Sequence, residues 1–153
     1  MANNSNVKAL TILHKALLAG QVLFATVSIF LVYNRLLAPA TEQLNRSLQL
    51  VAIALCAGGF LGGASLFKKK LLQIRAMQAG TKKKFEAYRA ACILQWALIE
   101  GPCLFTIICF FLTGNYAFIA LTGVLILLFA MMAPSKMKIA FHLGISETDV
   151  EEL

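Results

Sequence analysis

Four long apolar stretches separated by short polar ones run along this chain, at about 12–34, 47–67, 88–112 and 116–134. None alternates apolar and polar positions with a period of two. Unbroken apolarity of that length predicts membrane-spanning helices, because about 20 residues rising 1.5 Å each cross a hydrocarbon core of ~30 Å. A barrel would need the missing alternation. The pattern predicts an all-α integral membrane four-helix bundle with antiparallel, up-and-down spans in a single membrane domain over 1–153.

The breakers between the stretches predict the links. Thr113-Gly114-Asn115 is a tight turn, so spans three and four are expected to be antiparallel neighbours. The segment 35–46, with Arg35, Pro39, Asn45 and Arg46, is expected to be an irregular loop. The basic hairpin loop 68–87 has no breaker before Gly80-Thr81. Span two is therefore expected to continue as helix to about Ala79, with Thr81 capping the helix that leads into span three. After Pro134, Ser135–Leu143 fits a short surface helix, and Ser146 with Asp149 fits a capping box. In the cytoplasmic tail 135–153, the acidic end Ser146–Leu153, with four acids, is expected to be solvated rather than held against the basic loop. Ala38-Pro39-Ala40 resembles a signal cleavage site, but the run from Ala16 to Tyr33 is long for a signal core and Arg35 intervenes. A retained first span is the better fit.

Composition agrees. Hydrophobic residues make up 59% of the 153 residues and charged ones 14%, against about 25% charged in soluble domains. The net charge of +7 does not point to nucleic acid, since the bases border spans instead of forming one folded basic face. The segment between spans two and three holds Lys68, Lys69, Lys70, Arg75, Lys82, Lys83, Lys84 and Arg89. Lys8 and Lys15 of the N-terminal arm precede the apolar run that starts at Ala16, and Lys136 and Lys138 follow span four, so that twelve of the 14 bases fall on one side. The positive-inside bias then places both termini and the basic loop in the cytoplasm.

Glu100 stands alone within span three, in Gln95-Trp96-Ala97-Leu98-Ile99-Glu100-Gly101-Pro102. A carboxylate at mid-membrane costs ~2.5–3.5 kcal/mol on insertion scales. Desolvation favours its neutral form, which can donate a hydrogen bond. No lysine or arginine lies deep in another span, so the candidate partners are Gln95, Gln21, Thr26, Ser28, Ser65 and Thr122. One such bond would be an ordinary interhelical tie; an ion or proton site is the alternative. Pro102 frees the carbonyl of Leu98, which adds polarity nearby. Span two carries two G-x-x-x-G spacings, Gly58/Gly62 and Gly59/Gly63, which allow close approach of span three or span one, or of a second copy. The triplets Lys68–Lys70 and Lys82–Lys84 are topology determinants and candidate anionic-lipid headgroup contacts. Cys56, Cys92, Cys103 and Cys109 lie in apolar segments and are expected to be core-filling. His14 lacks a second ligand nearby, so no metal site is expected. No cofactor motif and no enzymatic signature is present.

The glycines at 58, 59, 62 and 63, the basic loop and Ala97-Leu98-Ile99-Glu100 together resemble the helical hairpin of rotary-ATPase proteolipids. That likeness implies proton or sodium carriage at Glu100. The chain departs from those proteins in its longer loop, without an Arg-Gln-Pro turn, and in Pro102 after the acid. More of the chain is similar to small uncharacterised four-span bacterial inner-membrane proteins, through Ala97–Pro102, Leu112–Asn115 and Pro134–Ile139. That resemblance implies the inner membrane and no particular activity. The leading expectation is a structural or accessory membrane subunit, with the lipid bilayer, other membrane subunits or a second copy as partners. A proton- or cation-coupled transport component using Glu100, and a lipid- or partner-binding module built on the basic loop, are the alternatives.

Overall fold

The computed structural model describes residues 5–34 and 42–151, all of whose regular structure is helical: α1 (Ser5–Tyr33), α2 (Glu42–Ala76), α3 (Thr81–Thr113), α4 (Tyr116–Met131), α5 (Lys136–Leu143) and α6 (Glu147–Glu151). Residues 35–41 of the expected irregular loop lie outside the described ones. Asn45 and Arg46, assigned to that loop from sequence, belong to α2.

Contacts fix the helix directions. His14 of α1 lies beside Trp96 of α3 and Phe129 of α4. At the opposite end Gly114 approaches Val32, and Asn115 donates to Asn45 at 3.0 Å. Consecutive long helices therefore run in opposite directions, and the twelve clustered bases gather at one end, here called the basic end. The arrangement is not an even four-helix bundle. α3 is its axis: α1, α2 and α4 all pack on it, while α1 and α2 do not pack on each other to a comparable extent.

α1, α2 and α3 are each long and apolar enough to cross a membrane. α4 is shorter than the stretch 116–134 implied. It has 16 residues, about 24 Å at 1.5 Å per residue, short of a ~30 Å core. Counted with α5 across a 74° bend it makes a fourth candidate span. By length and composition the chain is a multi-pass membrane protein with three or four spans.

The links refine the sequence reading. α2 runs on through the lysine triplet but stops at Ala76, three residues before the expected Ala79. The four-residue link 77–80 then turns directly into α3, so the basic hairpin loop 68–87 is mostly helix. Gly80, not Thr81, holds the N-cap position, and no side chain caps it. At the other end Gly114 takes φ 66°, which closes α3 by donating its N–H to Phe110 O at 2.7 Å. A residue with a Cβ resists that left-handed geometry. The Asn115 side chain then accepts from Ala117 N and starts α4. α3 passes through Pro102 without a break.

The tail is docked through apolar side chains of α5 and α6, while the described acids of its end, Glu147 and Asp149, face solvent. Ser135 caps α5, and the Ser146–Asp149 capping box forms in both directions, at 3.1 and 3.2 Å. Ile139, Leu143 and Val150 are fully buried in the cluster that also holds Leu10, Ile74 and Phe85. Ile139 and Leu143, four apart, share one face of α5, and Val150 adds to it from α6 across the turn at Gly144, so that both helices meet α1, α2 and α3 at the basic end. Among the described residues the contact runs through these apolar positions and Arg75.

Candidate functional site

The G-x-x-x-G pairs divide by face. A methyl group built on Gly59 would strike the carbonyl oxygen of Leu98 and come within 2.8 Å of Pro102 Cγ; one on Gly63 would touch Leu98 and Gln95 at 3.5–3.7 Å. Gly58 and Gly62 have nothing within 4 Å. The close partner is therefore span three of the same chain, met by Gly59 and Gly63 alone. Pro102 has no N–H to give the Leu98 carbonyl, and that oxygen points at the hydrogen of Gly59 where a side chain would begin. A Cα–H···O contact of this kind contributes about 0.5–1 kcal/mol. Glycine and proline thus cooperate to press α2 against α3 at the level of Glu100, between Leu98 and Pro102.

Glu100 flanks the buried face of α3. Its neighbours at i−4, i+3 and i+7, Trp96, Cys103 and Ile107, are fully buried, while its own side chain is only half-buried. Among the described residues it makes no hydrogen bond and no ion pair. The expected tie to Gln95, Gln21, Thr26, Ser28, Ser65 or Thr122 is absent. Gln95 sits five residues before Glu100, ~140° around the helix, and turns toward Gly63. Thr26 is exposed and donates to its own helix at Val22 O, 2.8 Å. Ser65 is exposed on α2. Thr122 is buried but pairs with Thr106, Oγ1 to Oγ1 at 2.8 Å.

Gln21 and Ser28 do face inward. With His14 they form a seam at seven-residue spacing on the buried face of α1, each about 1% exposed. His14 satisfies itself: its Nε2 donates to Phe129 O at 2.9 Å, and its ring stacks on Phe129 and meets the edge of Trp96. Both polar atoms of the Gln21 amide and the Ser28 hydroxyl are buried with no partner among the described residues. The Thr106–Thr122 pair lies on the facing helices. Thr106 is placed to donate to Cys103 O and Thr122 to Phe118 O, both within 2.9 Å. Two hydroxyl hydrogens cannot serve all three contacts at once, so the pair can reorient. The sequence singled out Gln21, Ser28 and Thr122 as polar residues on spans but not the seam itself, which appears once His14, Gln21 and Ser28 are read as i, i+7 and i+14.

A second polar group lies at the basic end and was missed, because its members are far apart in sequence. Arg75 of α2 donates from Nε to His142 O and from a terminal nitrogen to Phe141 O, both at 2.8 Å, and stacks over the Phe141 ring. It thereby satisfies the last carbonyls of α5, the negative end of that helix. Lys138 does the same for α4, donating to Met131 O and Ala133 O at 2.9 and 3.1 Å. Tyr88 Oη and His142 Nδ1 are 3.1 Å apart, the hydroxyl donating when the neutral ring carries its proton on Nε2. Burial, then the Arg75 and Lys138 charges, hold His142 below its ordinary pKa. A cavity of about 250 Å³ opens between Phe67, Tyr88, Gln95, Trp96, Lys138 and His142.

The other expected positions scatter. Lys68, Lys69, Lys70, Lys82 and Lys83 are exposed around the 77–80 link, and Lys84 is half-buried. All four cysteines are free thiols, with Cys92, Cys103 and Cys109 buried in the core. Among the described residues no three His, Cys, Asp or Glu side chains gather as a metal site. No protein-family model, curated protein or solved structure matches the chain.

Proposed function

We propose that this chain is an accessory subunit of the bacterial inner membrane, without enzymatic activity of its own, its termini and basic end facing the cytoplasm. The observation that supports this reading is the one-sided packing of α1 and α2. Only 17% of the most apolar stretch of each is buried within the chain, against 44% in α3. Both helices lean on α3 with one face and offer the rest, including Gly58 and Gly62, to lipid or to another membrane protein. The twelve bases at one end support the orientation, and the likeness to four-span bacterial proteins supports the location.

The test is the size of the native assembly. Tagged chain at native expression level, extracted in mild detergent, should migrate as part of a larger species that harsher detergent breaks down. A monomer under every gentle condition would refute the subunit reading.

A second reading is favoured by the unpaired Glu100 and the unpartnered Gln21 and Ser28. In it, Glu100 takes and releases a proton or small cation. Carbodiimide should then label Glu100, and sodium or high pH should slow the reaction. Inertness at every pH would count against it.

A further inference from the structure

At the basic end, α1 and the α4–α5 bend enclose a cleft of about 460 Å³, and we infer that it binds the headgroup of an anionic phospholipid. Lys8, Thr11, Ile12 and Lys15 stand at i, i+3, i+4 and i+7, one face of α1, and form one wall. Pro134, Ser135 and Lys136 form the other. Three lysines thus line one space, and among the described residues no acid does. The N-terminus of α5 opens on the same cleft and adds its partial positive charge. Ser135 Oγ accepts from Lys138 N at 3.3 Å, which leaves the hydroxyl hydrogen for an anionic oxygen.

The apolar lining selects a lipid over a free anion. Val7, Ile12 and Pro134 border the cationic groups, and Ile12 is 66% exposed. A soluble phosphate has no use for that surface, whereas the glycerol and upper acyl carbons of a phospholipid do. The cleft also lies at the right level. The long apolar run of α1 begins just after Lys15, and α4 ends just before Pro134. Headgroup phosphates sit at such a boundary and attract nearby lysines. The site is distinct from the triplets Lys68–Lys70 and Lys82–Lys84, which ring the α2–α3 link. The inference rests on the membrane reading proposed above.

Native mass spectrometry of the full chain in detergent tests it, with phosphatidylglycerol and phosphatidylcholine as probes. Wild type should retain phosphatidylglycerol in preference, and K8Q/K15Q/K136Q should lose that preference by roughly ten- to a hundredfold, as three bases near a membrane surface imply. K68Q/K69Q/K70Q, with the same loss of charge, should retain it. K8Q/K15Q should fall between, with Lys136 and α5 intact. An equal loss in the two triple variants would overturn the site in favour of diffuse surface charge. Displacement of the lipid by millimolar inorganic phosphate would overturn the choice of a lipid. Carbonate extraction separates the premise from the inference: a chain that left the membrane pellet would sink the membrane reading itself, whatever the lipid result.

Discussion

Gly59→Ala is the sharpest probe of the α2–α3 contact, because Gly58→Ala is its built-in control. The added methyl at position 59 meets the Leu98 carbonyl oxygen and lies 2.8 Å from Pro102 Cγ, and the first of these is backbone. Relief requires the two helices to separate. Overpacking of this sort costs about 1–3 kcal/mol, and the lost Cα–H···O contact adds about 0.5–1 kcal/mol. Alanine's better helix propensity returns roughly 0.5–1 kcal/mol, so the net expectation is a destabilisation of about 1–3 kcal/mol. At Gly58 the propensity gain stands alone, since nothing lies within 4 Å, and Gly58→Ala should be neutral or stabilising by up to ~1 kcal/mol. Thermal unfolding in detergent with a thiol-reactive dye reads both, because Cys92, Cys103 and Cys109 are buried until the helices part. If Gly58→Ala proved as damaging as Gly59→Ala, the glycine faces would be assigned the wrong way round, or the open face would be an interface between copies.

The basic end and the threonine pair give three further expectations. Arg75→Ala removes two bonds to α5 carbonyls, charge-assisted but exposed, and should weaken tail docking by about 1–2 kcal/mol; limited proteolysis after α4 should quicken, and an unchanged rate would refute the clamp. His142, faced by Tyr88 of α3, Arg75 of α2 and Lys138 of its own helix, has a lowered folded-state pKa. Its contribution is therefore complete above the ordinary histidine range and lost as pH falls through the folded value; His142→Gln should flatten the resulting acid-side rise in tail proteolysis. A double-mutant cycle on Thr106→Val and Thr122→Val should give a coupling near ~0.6 kcal/mol and no more than ~1.7 kcal/mol, and additive losses would mean that each hydroxyl serves only its own helix.

What the sequence displayed depended on the range over which the cause acts. Helix type and rough extent were legible because apolarity is continuous along each span. The turn at Thr113–Asn115 was legible because Gly114 and Asn115 have local reasons to be there. The glycine pairs announced close packing, but the choice of Gly59/Gly63 over Gly58/Gly62 depends on which face α3 covers, and spacing is the same for both. The docked tail was hidden for the same reason: its anchor, Arg75, is 66 and 67 residues from the carbonyls it holds. Glu100 was conspicuous by its charge, yet its missing partner is a fact of three-dimensional placement. Reading Gln95 beside it failed because five residues of helix carry a side chain most of the way to the opposite face.

Gln21 bears most directly on whether the interior is scaffold or working surface. His14 stands level with Phe129, and seven residues along each antiparallel helix, about 10 Å, bring Gln21 level with Thr122. The amide therefore lies near the height of the reorientable threonine pair, with both of its polar atoms buried and unpartnered. A leucine would fill similar volume without that burden, and an unsatisfied buried group costs about 1–3 kcal/mol. Gln21→Leu is accordingly expected to raise the melting temperature in detergent. A side chain that lowers stability where it sits is usually there for another task; under the second reading proposed above, in which Glu100 takes and releases an ion, that task is passage or binding of a small polar species along the α1 seam. The same variant should then slow carbodiimide capture of Glu100 or remove its sensitivity to sodium. A fall in melting temperature would refute this chain of reasoning, because it would show that the amide is bound in place and contributes to the fold.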